Sequence, residues 1–211
     1  MPVTKISSQK YHHGDLRRAI LSAALEMTAE SGLQNLSLRE IARRIGVTTA
    51  APYHHFKDRQ SLLIELAIEG YSELLDAMKA ARDRALDPKD EVGQAAIAYL
   101  TFGRAHRASY AVMFSGELST HPRAAVMLPI ADASLEIVRK SIAEATGLNA
   151  TTSAEAAFCA WSLLHGTLTL DANRVLRETA EEQDRLALQG VLAIVNGFAA
   201  AERGAGSLMG N

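Results

Sequence analysis

The sequence predicts an all-α protein, with a three-helix helix-turn-helix head over residues 1–57 and a helical bundle over residues 58–211. Three observations carry this prediction. Apolar residues recur at helical spacing along most of the chain, alternating β-branched stretches do not occur, and Gly, Pro and Ser/Asp caps fall at helix-length intervals.

The first helix shows Leu16, Ile20, Ala23, Ala24 and Met27 as one apolar stripe, and Gly32 is placed to end it as a left-handed cap. A second helix opens at Ser37 in the run SLRE, a capping box in which Ser37 and Glu40 reciprocally satisfy free backbone N–H groups. Its apolar set is Leu38, Ile41, Ala42 and Ile45, and Gly46 halts it. Val47 is the apolar residue that would anchor the following turn. Thr48 is read as the N-cap of a third helix over Thr49–Phe56, in which Pro52 at the fourth position removes about one terminal bond. A longer helix starts near Asp58, with Leu62, Leu66, Tyr71, Leu74 and Met78 turned inward. After the Asp87-Pro88 break, helices are predicted over 89–107, 109–116, 122–146, 153–174 and 181–203, with a frayed tail after Gly204.

The 211 residues are 48% apolar, enough for a sizeable core. The single cysteine, Cys159, excludes an internal disulfide framework and fits a reducing cytoplasm. No apolar run reaches the ~18–20 residues of a membrane span, and the polar N-terminus does not read as a secretion signal. Net charge is −2, but it is unevenly distributed. Residues 1–60 hold nine Lys/Arg and five acids, net +4; the remainder holds 13 and 19, net −6. A basic head on an acidic body points to an anionic partner for the head alone.

Two short helices joined by a glycine turn and preceded by a longer helix make a helix-turn-helix. Its third helix would present Thr49, Ala50, Ala51 and His54, short side chains that allow close approach to a major-groove floor. Tyr53, His55, Lys57 and Arg59 lie at the edges, where hydroxyl, imidazole and cation can meet phosphates, and Phe56 points to the core.

The run LSLREIARRIGVTTAAPYHHFKDRQSLL resembles the N-terminal DNA-binding domain of TetR-family transcriptional regulators. Gly46, Val47, Tyr53, His55, Phe56, Arg59 and Leu62 stand at the family's pattern positions, and YHHGDLRRAILSAALEMTAESG resembles its first helix; the likeness spans about residues 11–66. It implies base-facing positions at Thr48, Thr49, Ala50, Ala51 and His54, and phosphate contacts from Tyr53, His55 and Arg59. Arg39, early in the second helix, is implied at a phosphate or base edge. The sequence departs from the family at Pro52, where many members carry Leu or Ile, and at Arg59, where many carry Lys.

In the body, the run from Trp161 to His165-Gly166 resembles the signature of the WHG-type subgroup. Trp161 and His165 share one helix face, which fits a packed pair in the core as well as a pocket wall. Tyr99, Phe102, His106, Tyr110, Met113, Phe114 and Met127 form an aromatic and methionine set that reads either as core or, with Trp161 and His165, as the lining of an effector pocket. The last helix is apolar on more than one face. Its Gly190 and Gly197, seven apart, fit either close approach by a partner helix or packing within the chain. A homodimer interface is accordingly placed at Phe158, Gly190, Ile194, Gly197 and Phe198. Such a dimer would set two recognition helices ~34–36 Å apart on a palindromic operator.

Enzyme chemistry has no support in the sequence: it contains no HExxH, P-loop, GxSxG or dinucleotide glycine pattern and no His/Cys spacing suited to zinc. The pairs His12-His13 and His54-His55 are adjacent and diverge on a helix. No cofactor and no metal is expected. The reading is therefore a ligand-responsive, dimeric regulator, most simply a repressor released from double-stranded DNA by an unknown small-molecule effector. The alternative is a helical ligand-binding or interaction module without operator binding.

Overall fold

The computed structural model describes residues 13–118 and 122–208. Among these residues there are eight α-helices and three short 3-10 turns, with no strand. Tyr11, His12 and His121, and the last three residues of the tail, lie outside the described residues.

Helix α1 (His13–Ser31) ends where Gly32 takes φ +83° and donates its N–H to Thr28 O at 3.0 Å. Helix α2 (Leu38–Arg44) is capped by Ser37 Oγ, which accepts from Glu40 N at 3.2 Å. Only this half of the expected capping box forms. The Glu40 carboxylate instead accepts from Arg43 one turn on. Helix α3 (Arg59–Arg82) starts on Asp58, whose side chain accepts from Ser61 N at 2.7 Å. Helix α4 (Pro88–Ala105) starts on Asp87, which accepts from Lys89 N and Asp90 N, with Pro88 in the first turn where its missing N–H is not required. Helix α5 (Arg107–Met113) is short. The single helix predicted over 122–146 is divided into a 3-10 turn (Pro122–Val126) and α6 (Leu128–Thr146). Pro129 is the reason: inside a continuous helix its ring would clash with the carbonyl four residues back, whereas in a first turn it fits. Asn149 caps α7 (Ala150–Ala172), and α8 (Ala180–Leu208) completes the chain. The fraying expected after Gly204 does not begin there; the helix continues through Leu208, since an established helix adds one bond per residue fixed.

The buried side chains form two clusters. One gathers Ile20, Leu36, Ile41, Phe56, Leu62 and Leu66 with Val112, Leu118 and Met127 from the body. The other gathers Leu74 and Met78 of α3 with residues of α4, α6, α7 and α8. Helix α3 thus serves the head with its first half and the body with its second. Arg104 ties the body: Nη2 lies 2.7 Å from Asp184 on α8, and Nη1 makes an ion-pair approach of 2.8 Å to Asp171 on α7.

Gly70, Gly103 and Gly190 mark close packing, and the last two can be compared directly because each faces a leucine. A Cβ on Gly103 would lie 2.3 Å from one methyl of buried Leu168 and 3.2 Å from the other. A Cβ on Gly190 would meet only one methyl of half-buried Leu163, at 2.6 Å. Gly103→Ala is expected to lower unfolding stability by on the order of 1–2 kcal/mol, the overpacking cost exceeding the gain in helix propensity. Gly190→Ala should cost less, because Leu163 is half-buried where Leu168 is buried and only one of its methyls is in the way. Denaturant unfolding of the two variants checks the order.

Candidate nucleic-acid interface and effector cavity

Helix α2 ends in a Schellman motif, with Val47 N–H bonding Ala42 O at 3.0 Å and Gly46 N–H bonding Arg43 O at 3.3 Å. Gly46 holds φ +73°, a region costly for a side chain, which explains the glycine at this turn. The chain then departs from the predicted α-helix over Thr49–Phe56. Thr49 and Ala50 form a turn and Ala51–His54 a 3-10 helix. Pro52 causes this. It has no N–H to give to the Thr48 carbonyl, and its ring would clash with that carbonyl in an α-helix. Ala51 N–H takes the carbonyl instead, at 3.0 Å, and Tyr53 N–H bonds Ala50 O at 3.1 Å. Thr48 therefore contributes its carbonyl and not a capping hydroxyl; the cap position is Ala50, with no side-chain bond.

Pro52 and Phe56 are buried and fix this segment from below. Thr48, Thr49, Ala50, Tyr53, His54 and Lys57 are exposed, while Ala51 and His55 are half-buried. With three residues per 3-10 turn, Ala51 and His54 lie on one edge, so the predicted base-facing residues do not share a single α-helical face.

Most cations of the head are already paired. Arg17 meets Glu65 at 2.8 Å, Arg43 meets Glu40, and Arg44 meets Glu30 at 2.5 Å. Arg39 and Lys57 are exposed and make no ion pair with described residues. Arg59 is different from the phosphate contact expected of it. Its Nε donates to Leu36 O at 2.9 Å, its Nη2 donates to Leu33 O at 2.7 Å, and both terminal nitrogens bond the Glu117 carboxylate. A guanidinium so engaged joins head to body, because four of its five N–H groups are spent on the protein. The Arg59 bonds hold the Glu117 pKa below the usual carboxylate range.

The body encloses a cavity of about 410 Å³ between α3, α4, α6 and α7. Of the predicted pocket residues, Tyr99, Phe114 and Trp161 line it. Met127 does not: it lies in the head's core. Met113 fills the space above Gly70, and Phe102 and His106 stack on each other at 4.8 Å beside a separate outer groove. Tyr71, Leu135, Val138 and Phe158 line the cavity without having been anticipated. The signal that could have revealed it is the set of small residues Ala95, Ala96, Ala131 and Ala160, which leave the space unfilled.

Tyr110 and His165 stand behind the cavity wall in a hydrogen-bonded chain. Trp161 Nε1–H donates to Tyr99 Oη at 3.1 Å, Tyr99 Oη lies 2.9 Å from Tyr110 Oη, and Tyr110 Oη lies 2.6 Å from His165 Nδ1. With the imidazole hydrogen assigned to Nε2, Nδ1 accepts from Tyr110 and Tyr110 accepts from Tyr99. Burial pushes Tyr99 and Tyr71 up to about 12 and Tyr110 higher still, so the phenols keep their protons. Burial also lowers the His165 pKa.

The predicted interface residues do not behave alike. Phe158 is 57% exposed at the cavity's rim, and Ile194 and Phe198 are half-buried. Gly197 is exposed with open space where a Cβ would stand, whereas Gly190 packs within the chain against Leu163. Gly190 is therefore explained without a partner. Among the described residues there is no cluster of three or more His, Cys, Asp or Glu placed to hold a metal, and no helix long and apolar enough to cross a membrane.

Because the folded state lowers the His165 pKa, the unfolded chain binds the extra proton first. The neutral ring's contribution to stability is complete above the unfolded value of ~6.5 and is lost as pH falls through the folded value. The melting temperature should drop between pH 7.5 and 5.5, and His165→Gln should flatten that drop; equal slopes for both proteins would refute the assignment.

Two family models match separate stretches of the chain. Residues 20–66 match the family model for bacterial regulatory proteins of the tetR family, and residues 92–194 match the tetracyclin repressor-like C-terminal domain. An HTH-type transcriptional regulator BetI from Agrobacterium fabrum is 33% identical over 86 residues, 41% of this chain and 41% of that protein. The class D tetracycline repressor protein of Escherichia coli is 36% identical over 53 residues, 25% of this chain and 24% of that protein. The chain thus spans about two fifths or less of these relatives' length. A solved Rhodococcus sp. RHA1 protein of unknown function is 31% identical, with TM-score 0.76 over 91% of this chain and 100% of its own. A tetR-family regulatory protein from Rhodococcus RHA1 shares the fold at 24% identity and TM-score 0.69, over 85% and 95% of the two chains. With both halves matched to its models, the chain belongs to the TetR family of DNA-binding transcriptional regulators.

Proposed function

We propose that this chain is a homodimeric repressor that binds a palindromic operator through residues 1–57 and is released by a small molecule bound in residues 58–211. The observation that carries the proposal is the surface of the 3-10 segment. Uncharged Thr48, Thr49 and Ala50, with Ala51 and His54 on one edge, form its exposed crown, and the unpaired cations Arg39 and Lys57 belong to the same motif. In this reading the crown meets base edges, and Tyr53, His55, Arg39 and Lys57 meet phosphates.

The dimer is supported by α7, which leaves Phe158 exposed, and by α8, which leaves Leu186 and Leu192 exposed and has open space at Gly197. Apolar side chains in such numbers on adjacent helices call for cover. The Trp161–His165 pair, linked through Tyr99 and Tyr110, supports the WHG-type assignment of the body.

Effector control is supported by the segment 112–118. Phe114 lines the cavity, Glu117 holds Arg59, and Leu118 is buried in the head's core. A molecule that displaces Phe114 acts on all three, and its effect on DNA affinity equals the effect of DNA on its own affinity.

The direct test is fluorescence anisotropy on a palindromic duplex selected from the chain's own genome. Arg39→Ala and Lys57→Ala should each weaken binding to all sequences and reduce the salt slope by about 1, while His54→Ala changes the preferred sequence. Affinity independent of salt would support the interaction module instead. Glu117→Gln should leave the salt slope intact but reduce the coupling between effector and DNA, typically worth ~1–3 kcal/mol. Unchanged coupling would remove the 112–118 segment from the account.

A further inference from the structure

The donors that line the cavity are already used. Tyr71 Oη–H donates to Met113 O at 3.1 Å, Ser134 Oγ–H to Ile130 O at 3.3 Å, and Trp161 Nε1–H to Tyr99 Oη. Tyr99 Oη–H is spent on Tyr110 in the chain that ends at His165. What remains toward the cavity is acceptor capacity: phenol lone pairs at Tyr71 and Tyr99, and one carboxylate, Asp132, which is exposed at the rim and has no ion pair or hydrogen bond with a described residue. No Lys, Arg or His lines the cavity among the described residues.

Among the aliphatic side chains of the lining stand five aromatic rings, Tyr71, Tyr99, Phe114, Phe158 and Trp161. Phe114 and Trp161 have ring centroids 6.3 Å apart, Phe158 and Trp161 6.0 Å, and Tyr71 and Phe114 5.7 Å. Ring faces attract cations and repel anions. Donor exhaustion, a rim carboxylate without an ion pair to a described residue and a cluster of aromatic rings are three separate features, and all favour the same charge.

We propose that the cavity selects an apolar monocation, a polycyclic or aromatic amine whose rings lie among Phe114, Phe158 and Trp161 and whose ammonium group meets Asp132. Neutral molecules of the same shape bind more weakly and carboxylates weaker still, because an anion would face a carboxylate and find no donor. This inference rests on the reading of the cavity as the effector site and adds the chemistry of the effector.

Trp161 is the chain's only tryptophan and lines the cavity, so its fluorescence reports occupancy directly. The probes are three molecules of nearly one shape: 1-pyrenemethylamine, 1-pyrenemethanol and 1-pyrenecarboxylate, each titrated against the full chain while energy transfer from Trp161 to pyrene is read. The amine should bind about tenfold tighter than the alcohol, the sum of a partly exposed ion pair and cation–π attraction, and the carboxylate weaker than both. Asp132→Asn, at an exposed position, should weaken the amine about three- to fivefold, strengthen the carboxylate, and leave the alcohol unchanged. A carboxylate that equals the amine, or a ranking untouched by Asp132→Asn while the alcohol still binds, overturns the charge preference and leaves the effector cavity standing. If none of the three quenches Trp161, the cavity does not take such ligands and both readings fall.

Discussion

Neighbouring residues of α5 belong to different cores. Val112 is fully buried against the head, Met113 packs into the body over Gly70, and Phe114 borders the cavity. A seven-residue helix is too short to be stable on its own in water, so α5 exists because both cores hold it. Side chains that fill two close-packed interiors cannot shift in one without disturbing the other. The Tyr71 hydroxyl fastens the end of this helix at Met113 O, and Arg59 fastens the following turn at Glu117. Beside the continuous helix α3, head and body are thus joined by a handful of contacts around one turn of chain.

Much of the architecture was legible because helix ends have chemistry of their own. Ser37, Asp58 and Asp87 each accept backbone N–H groups at a helix start, and Gly32 and Gly46 each hold the positive φ that closes a helix. What was not legible depended on partners distant in sequence. Arg59 stands 58 residues from Glu117, and nothing local distinguishes a guanidinium aimed at a phosphate from one spent on two carbonyls and a carboxylate. Gly190 was open to two explanations until Leu163 was seen against it. The cavity is an absence shared by four helices, which no single stretch of sequence encodes.

Periodicity also failed at Pro52, for a different reason. The count of 3.6 residues per turn presumes the bond that proline cannot make, so the α-helix expected over Thr49–Phe56 is replaced by a turn and a 3-10 helix. Pro129 had the same effect in the body, where it divided one expected helix in two. At Pro52 the reading treats proline as a local tolerance and not as the residue that chooses the hydrogen-bond pattern; the reading of 122–146 leaves Pro129 out.

The 3-10 segment has a consequence for how such a protein can change. Its shape is held by Gly46, Pro52 and Phe56, of which Pro52 and Phe56 are buried and Gly46 acts through its backbone. Its exposed crown contributes almost nothing to that shape. Substitutions at Thr48, Thr49 or Ala50 can therefore alter the surface that the segment presents with little effect on stability. Frame and surface therefore mutate independently, and the exposed face can be rewritten one residue at a time without passing through unfolded intermediates.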